Sequence, residues 1–260
     1  MTFADKIRDL HVSEGEAALV WIGQAGFLFK TSKGKVILID PCMTDYTYDC
    51  TKAANGLGFF RLAPALFQPG ELDVDILIAS HEHEDHLEVP FMPEYLKYPK
   101  AEIWCNEPSC EMLKDAGIDM SRVRQLNKGD EIKIDDITLY VTDCDHGPGT
   151  PHALGFVFDF GFTSVYYSGD TSFTPERLTQ PLSMQPEIAL LPINGEFGNL
   201  NSEEAAKLAG LLGSKYGVPH HFFTFAKHGG DPREAIRAFP EYAPECELKF
   251  MTPGEVWMLS

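Results

Sequence analysis

Several things are scarce in this sequence. No stretch of its 260 residues is apolar for long enough to cross a bilayer as a helix, so no membrane span is expected. Positive charge is short: 21 Lys and Arg stand against 39 Asp and Glu, a formal net charge of −18. A phosphate backbone would meet net repulsion, so nucleic acid is not an expected partner. Acidity alone says nothing against a small phosphorylated substrate. The six cysteines (Cys42, Cys50, Cys105, Cys110, Cys144 and Cys246) contain no Cys-x-x-Cys pair, which argues against a structural zinc site. The opening Met1-Thr2-Phe3-Ala4-Asp5-Lys6 lacks an apolar signal core. A cytoplasmic protein with reduced thiols is the resulting expectation. Low-complexity segments, linkers and short-period repeats are missing as well.

What is present centres on Ser80-His81-Glu82-His83-Glu84-Asp85-His86, where three of the nine histidines fall within six positions. The stretch follows Val74-Asp75-Ile76-Leu77-Ile78-Ala79, a run that reads as a buried strand. In extended chain, residues i and i+2 point the same way, so His81 and His83 can grip one metal ion. Past the strand end the chain turns, and Asp85 and His86 can face a second ion. Imidazole and carboxylate suit zinc, iron, nickel or manganese better than calcium.

His-x-His-x-Asp-His after a strand resembles the signature of the metallo-β-lactamase superfamily. The likeness extends to the branch of the L-ascorbate-6-phosphate lactonases and related metal-dependent hydrolases. Trp21-Ile22-Gly23-Gln24-Ala25-Gly26-Phe27 looks like that branch's opening hairpin. Ser168-Gly169-Asp170-Thr171, Leu191-Pro192-Ile193-Asn194-Gly195 and Val218-Pro219-His220-His221 look like its later landmarks, in order. Many short strands with interspersed helices suggest α/β or α+β by themselves. The resemblance implies a four-layer αβ/βα sandwich, one domain over 1–260, with metals at one sheet edge.

Taken in order, residues 1–15 read as a loosely attached lead-in. Strands are expected at Ala17–Gly23, Gly26–Thr31 and Val36–Asp40. Residues 41–73 lack clear periodicity and are rich in Gly, Pro and aromatics, which suggests a packed flap beside the site or else a merely structural excursion. A short helix at Pro93–Tyr98, a strand at Ala101–Cys105 and a helix at Pro108–Ala116 follow. Strands then read at Val123–Leu126, Glu131–Ile134, Ile137–Thr142, Leu154–Phe160, Ser164–Ser168 and Ile188–Pro192. Ser202–Tyr216 has helical periodicity, with Asn201 or Ser202 as cap and Gly217 as stop. Phe222–Phe225 is strand-like. Asp231-Pro232 opens a helix to about Phe239, and Leu248–Met251 and Val256–Leu259 close the chain as strands.

A two-metal site needs about six or seven ligands, more than the motif supplies. The resemblance implies His146 as the third histidine on the first metal, Asp170 as the bridging carboxylate and His221 as the last ligand of the second. His220 competes with its neighbour for that role. The expected set is thus His81, His83, Asp85, His86, His146, Asp170 and His221, holding two divalent ions, Zn2+ or Mn2+, with Fe or Ni as alternatives. Asp85 would also orient the nucleophile. His152 and His228 are candidates for binding an oxyanion or protonating a leaving group, or are ordinary loop histidines. His11 stands apart. Lys227 and Arg233 offer positive charge to an anionic substrate or pair with nearby carboxylates. Cys144 is expected to have no ligand role.

Such a site lowers the pKa of water from about 15.7 to near 7 and directs hydroxide at an ester, lactone, amide or phosphodiester. A lactonase or related carboxylic-ester hydrolase on a small polar substrate leads. A phosphodiesterase on a small nucleotide or phospholipid, and a noncatalytic ligand sensor on the same scaffold, are the rivals. No membrane and no nucleic acid is an expected partner, and a homo-oligomer is compatible with all of this.

Overall fold

Strands that are apolar along their whole length, such as Ala17-Ala18-Leu19-Val20-Trp21-Ile22-Gly23, are built for burial on both faces, and every residue of that run is buried. The computed structural model describes residues 1–55 and 59–260, and of residues 53–55 the backbone only. Its contacts separate into two compact units, Met1–Leu126 with Thr252–Ser260, and Asn127–Met251.

The first unit begins with α1 (Phe3–Asp9), then β1 (Ala17–Gly23), β2 (Gly26–Thr31), β3 (Val36–Ile39), α2 (Tyr46–Asn55), β4 (Ile76–Ala79), α3 (Met92–Leu96), β5 (Glu102–Cys105), α4 (Glu107–Asp115) and β6 (Val123–Gln125). The C-terminal strand Val256–Leu259 pairs antiparallel with β1, and β1, β2 and β3 continue antiparallel. From β3 through β4 and β5 to β6 the pairing is parallel, so helices must carry the chain back between them. The core under this seven-stranded sheet includes Ile7, Ile22, Leu28, Leu38, Leu77, Met92, Tyr95 and Ile103.

The second unit repeats the plan. It comprises β7 (Glu131–Ile134), β8 (Ile137–Asp143), β9 (Leu154–Asp159), β10 (Ser164–Tyr167), α5 (Thr179–Met184), β11 (Ile188–Pro192), α6 (Ser202–Leu212), β12 (Tyr216–His220), α7 (Pro232–Tyr242) and β13 (Glu247–Leu248). β7 to β10 are antiparallel, and β10 to β13 are parallel. Two mixed sheets, each flanked by helices, agree with the α/β sandwich class that the resemblance implies.

Four expectations of local structure change. Residues 1–15 are not loose: α1 has a capping box between Thr2 and Asp5, Ile7 is fully buried, Lys30 Nζ donates to the Ile7 and Arg8 carbonyls, and Phe3 stacks on Phe67. Within 41–73 the chain forms α2, and residues 56–58 of that stretch lie outside the described ones. The helix from Ser202 stops at Leu212, where Gly213 takes φ +68° and closes it. Gly217 is instead inside β12. A Cβ there would lie 2.3 Å from the Phe239 ring, so close packing rather than helix termination asks for glycine. With the strand at 216–220, Phe222–Phe225 is a loop, and Phe223 has φ +59°.

Candidate metal centre

Both sheets carry their reactive side chains just past the carboxyl ends of the parallel strands, where open α/β sheets place their sites. In the first unit Asp40 follows β3, His81 follows β4 and Asn106 follows β5. In the second Asp170 follows β10, Asn194 follows β11 and His221 follows β12.

In the first unit the organising group is Asp40, which no motif in the sequence marks out. It is fully buried at φ +43°, a backbone region that non-glycine residues seldom occupy and that clusters at functional sites. Its carboxylate accepts from Ser80 N at 2.7 Å, from Ser80 Oγ at 2.5 Å and from His86 Nδ1 at 2.7 Å. Ser80 Oγ, its proton directed at Asp40, accepts in turn from His81 Nδ1 at 3.0 Å. One carboxylate thereby sets both tautomers: Nδ1 of His81 and of His86 carries the proton, and Nε2 of each presents a lone pair. His81 Nε2 and His83 Nδ1 are 2.9 Å apart, and His86 Nε2 is 3.6 Å from Asp85 Oδ2. Gln24, also at positive φ, donates from Nε2 to Asp85 Oδ2 at 2.9 Å.

The loop ahead of α2 is tied to the same ligand stretch. Glu88 is fully buried and accepts from Met43 N, Thr44 N and Thr44 Oγ1 at 2.9, 2.8 and 2.5 Å. Burial pushes its pKa up, against the pull of those donors. Thr47 Oγ1 donates to the Glu84 carbonyl at 3.2 Å.

In the second unit the organising group is Asp170. Its Oδ2 lies 3.2 Å from His221 Nε2 and 3.9 Å from His146 Nε2, and accepts from Asn199 Nδ2 at 2.8 Å. Cys144 is buried and donates its thiol to the Asp170 carbonyl at 3.0 Å. Burial, and then the nearby Asp170 charge, push that thiol up, so it stays a protonated donor. His228 is buried with its ring parallel to that of His221, centroids 4.8 Å apart. His220 turns the other way and stacks on Tyr167. His221 itself has φ +60°.

His152 is exposed on the turn before β9, and His11 is exposed after α1. Arg233 is held by Asp231, whose side chain also caps α7. A cavity of about 630 Å³ beside His146 is lined by Lys128, Asp145 and Arg177 among others, and Arg177 pairs with Asp145 at 3.1 Å. Asp40, Gln24, Glu88, Cys144 and Asn199 are positioning residues that sequence reasoning misses as such. The one signal for Asp40 is its place at a strand end before Pro41.

The donor set fits a divalent metal. In the first unit His81 Nε2 and His83 Nδ1, and His86 Nε2 and Asp85 Oδ2, approach within 2.9 and 3.6 Å, and in the second Asp170 Oδ2 lies 3.2 and 3.9 Å from His221 and His146 Nε2. Buried, outer-shell-supported N and O donors of this kind suit zinc and its first-row neighbours.

The beta-lactamase superfamily domain matches residues 35–222 of the chain. A UPF0173 metal-dependent hydrolase of Rubrobacter xylanophilus is 31% identical over 256 residues, covering 93% of this chain and 96% of that protein. The chain therefore belongs to the metallo-β-lactamase superfamily and, within it, to the UPF0173 metal-dependent hydrolases. Among solved structures, a metallo hydrolase from Ignicoccus hospitalis superposes with a TM-score of 0.69 at 23% identity, covering 94% of this chain and 99% of that one. An isothiocyanate hydrolase from Delia radicum gut bacteria gives 0.69 at 22% identity, covering 92% and 98%. Both likenesses show the fold. Among the described residues no helix is long and apolar enough to cross a membrane.

Proposed function

We propose that the chain hydrolyses a lactone or related carboxylic ester of a small polar molecule, with His81, His83, Asp85, His86, His146, Asp170 and His221 as ligands of two divalent ions, zinc or manganese. The observation that carries this reading is the way Asp40 sets two imidazoles. Through direct and Ser80-mediated hydrogen bonds it presents Nε2 of His86 and of His81 as lone-pair donors. A merely structural histidine cluster has no use for two such tautomers. Two divalent ions held by those ligands would lower the pKa of a water molecule toward neutrality and would polarise the scissile carbonyl.

The chain's own residues do the rest. Asp85, steadied by Gln24, orients the attacking oxygen and accepts its proton at the carboxylate. Asn199 keeps Asp170 Oδ2 aimed between His146 and His221. His228, stacked on His221, donates to the departing alkoxide or holds the oxyanion. An ester is favoured over a phosphodiester because two cations of the second unit are already matched, Arg177 by Asp145 and Arg233 by Asp231. The protein is read as cytoplasmic, acting on a small molecule rather than on nucleic acid or membrane.

The test is a substrate panel on chain loaded with manganese or zinc: aliphatic and sugar lactones, aryl esters, chromogenic phosphodiesters and an isothiocyanate. Turnover of lactones or esters above the others is expected. Preference for the phosphodiesters would overturn the ester reading, and no turnover anywhere with full metal loading would bring forward a ligand sensor.

A further inference from the structure

Behind the ligand stretch of the first unit sits a pair of thiols with no part in the hydrolysis. Cys105 ends β5 and is fully buried. Cys110 lies in α4, one turn in, and is half-buried. Their sulfurs are 3.4 Å apart, closer than two unbonded sulfurs usually sit and about 1.4 Å from disulfide length. Between them Asn106 does two jobs. Its Oδ1 caps α4 by accepting from Ser109 N at 3.0 Å, and its Nδ2 donates to Glu82 Oε2 at 2.9 Å. Glu82 stands between His81 and His83.

The geometry points to Cys105 and Cys110 as a reversible disulfide-forming site whose closure acts on the ligand stretch through Asn106 and Glu82. The oxidant class is a hydroperoxide. Cys110, the accessible partner, attacks as thiolate: a sulfur–oxygen bond forms, the peroxide O–O bond breaks, and hydroxide leaves. Cys105 sulfur then attacks the Cys110 sulfenic acid. The sulfur–sulfur bond forms, the sulfur–oxygen bond breaks, and the Cys105 proton leaves with that oxygen as water. Two electrons pass from the sulfurs to hydrogen peroxide, which ends as two waters once the departed hydroxide takes up the proton that Cys110 lost on ionising.

The division of labour matches the surroundings. The neighbouring Cys105 thiol holds Cys110 below its ordinary pKa, while burial and Glu107 oppose it. Cys105 is pushed up by the same contact and by burial. The more accessible sulfur is thus the nucleophile and the buried one resolves it, as in known dithiol sensors. Drawing the sulfurs together pulls on the cap residue between them, because Asn106 is bonded directly to Cys105 and anchors the helix that carries Cys110. Its hydrogen bond to Glu82 is then the contact that must lengthen.

The experiment treats the full, metal-loaded chain with hydrogen peroxide, quenches it, unfolds it and alkylates the remaining thiols. The expected result is loss of two of the six thiols, a mass lower by two hydrogens, and a cross-linked peptide joining Cys105 to Cys110. Thiol reductant should restore all six. Metal affinity, measured by chelator competition, should fall about 10-fold on oxidation, at the low end of what outer-shell changes do. Cys110→Ala should show no bridge and no peroxide response of metal affinity, and Cys105→Ser serves where that variant does not fold. Six alkylatable thiols after treatment, a bridge between other cysteines, or Cys110 found as sulfinic acid without a bridge would overturn the site. A bridge with unchanged metal affinity, or an equal loss of affinity in Cys110→Ala, would overturn the coupling to Glu82.

Discussion

Asp40 Oδ2 lies 2.7 Å from His86 Nδ1 with both side chains fully buried, and the same oxygen receives the Ser80 hydroxyl that binds His81. A residue from β3's end thus governs two ligands that follow β4. Asp40→Ala should weaken metal binding about 10- to 100-fold, the range seen when outer-shell carboxylates are lost. Asp40→Asn, which keeps an acceptor, should fall in between. Chelator competition with a parallel melting curve checks this. A lowered melting temperature with unaltered metal affinity would reduce Asp40 to a cap on Ser80 N.

Asp170→Ala removes the oxygen that faces His146 and His221 and leaves Asn199 Nδ2 without this acceptor. At least one equivalent of metal and nearly all hydrolysis should be lost while the fold persists, since the sheet core does not include this side chain. Elemental analysis together with melting temperature decides it. Full metal occupancy in a destabilised variant would make Asp170 a turn residue only, with the usual cap cost of about 0.5–2 kcal/mol.

Cys144 donates to the Asp170 carbonyl and is kept protonated by burial. Cys144→Ser should therefore leave metal stoichiometry unchanged and keep the contact. Cys144→Ala should also keep the stoichiometry but lower stability by about 0.5–1.5 kcal/mol, one net hydrogen bond. A missing equivalent of metal in either variant would show a thiolate ligand.

The N-terminal helix is a structural part of the first unit. Ile7 is fully buried, and Lys30 reaches back to its carbonyl. Ile7→Ala should cost about 2–5 kcal/mol in denaturant unfolding, the range for a buried Ile cut to Ala. A cost under about 0.5 kcal/mol, typical of surface changes, would return this segment to the status of a loose lead-in.

Acid should unfasten α7. Hydrogen bonding from Arg233 lowers the Asp231 carboxyl to about 2 from an ordinary 3.8. A pKa lowered in the folded state means the cap's contribution is present above 3.8 and is lost as pH falls toward 2. Asp231→Asn should therefore differ from the parent in melting temperature near neutrality, and the gap should shrink across that window. A gap constant to pH 2 would show that the charge plays no part.

Much of this protein is legible in its sequence. His81 and His83 stand out because their stretch is short and contiguous, although both lie in bends just past β4, so the turn and not strand alternation brings their ring nitrogens to 2.9 Å. The strands β1, β2, β8, β9 and β11 read correctly for the same reason, their apolar runs being bounded by turns a few residues long. The superfamily is visible because its signature is a short contiguous stretch. Where local signals conflict, tertiary packing decides. Gly217 looks like a helix stop in one dimension, but it is the place where the Phe239 ring presses on β12. Phe3 and Ile7 look like a stray apolar pair in the chain, yet Phe67 and Lys30, far along it, close over them.

The sequence by itself determined that histidines and carboxylates gather just past the end of β4, since that depends on residue type and spacing alone. Only the tertiary structure decided how those side chains are held. Asp40 meets His86 across 46 residues, Gln24 meets Asp85 across 61, and Asn199 meets Asp170 across 29. Contacts at such separations arise from the order in which strands pair within a sheet, and no local pattern encodes that order. The tautomers at His81 and His86 are therefore a product of the fold, while the imidazoles themselves were written in the chain.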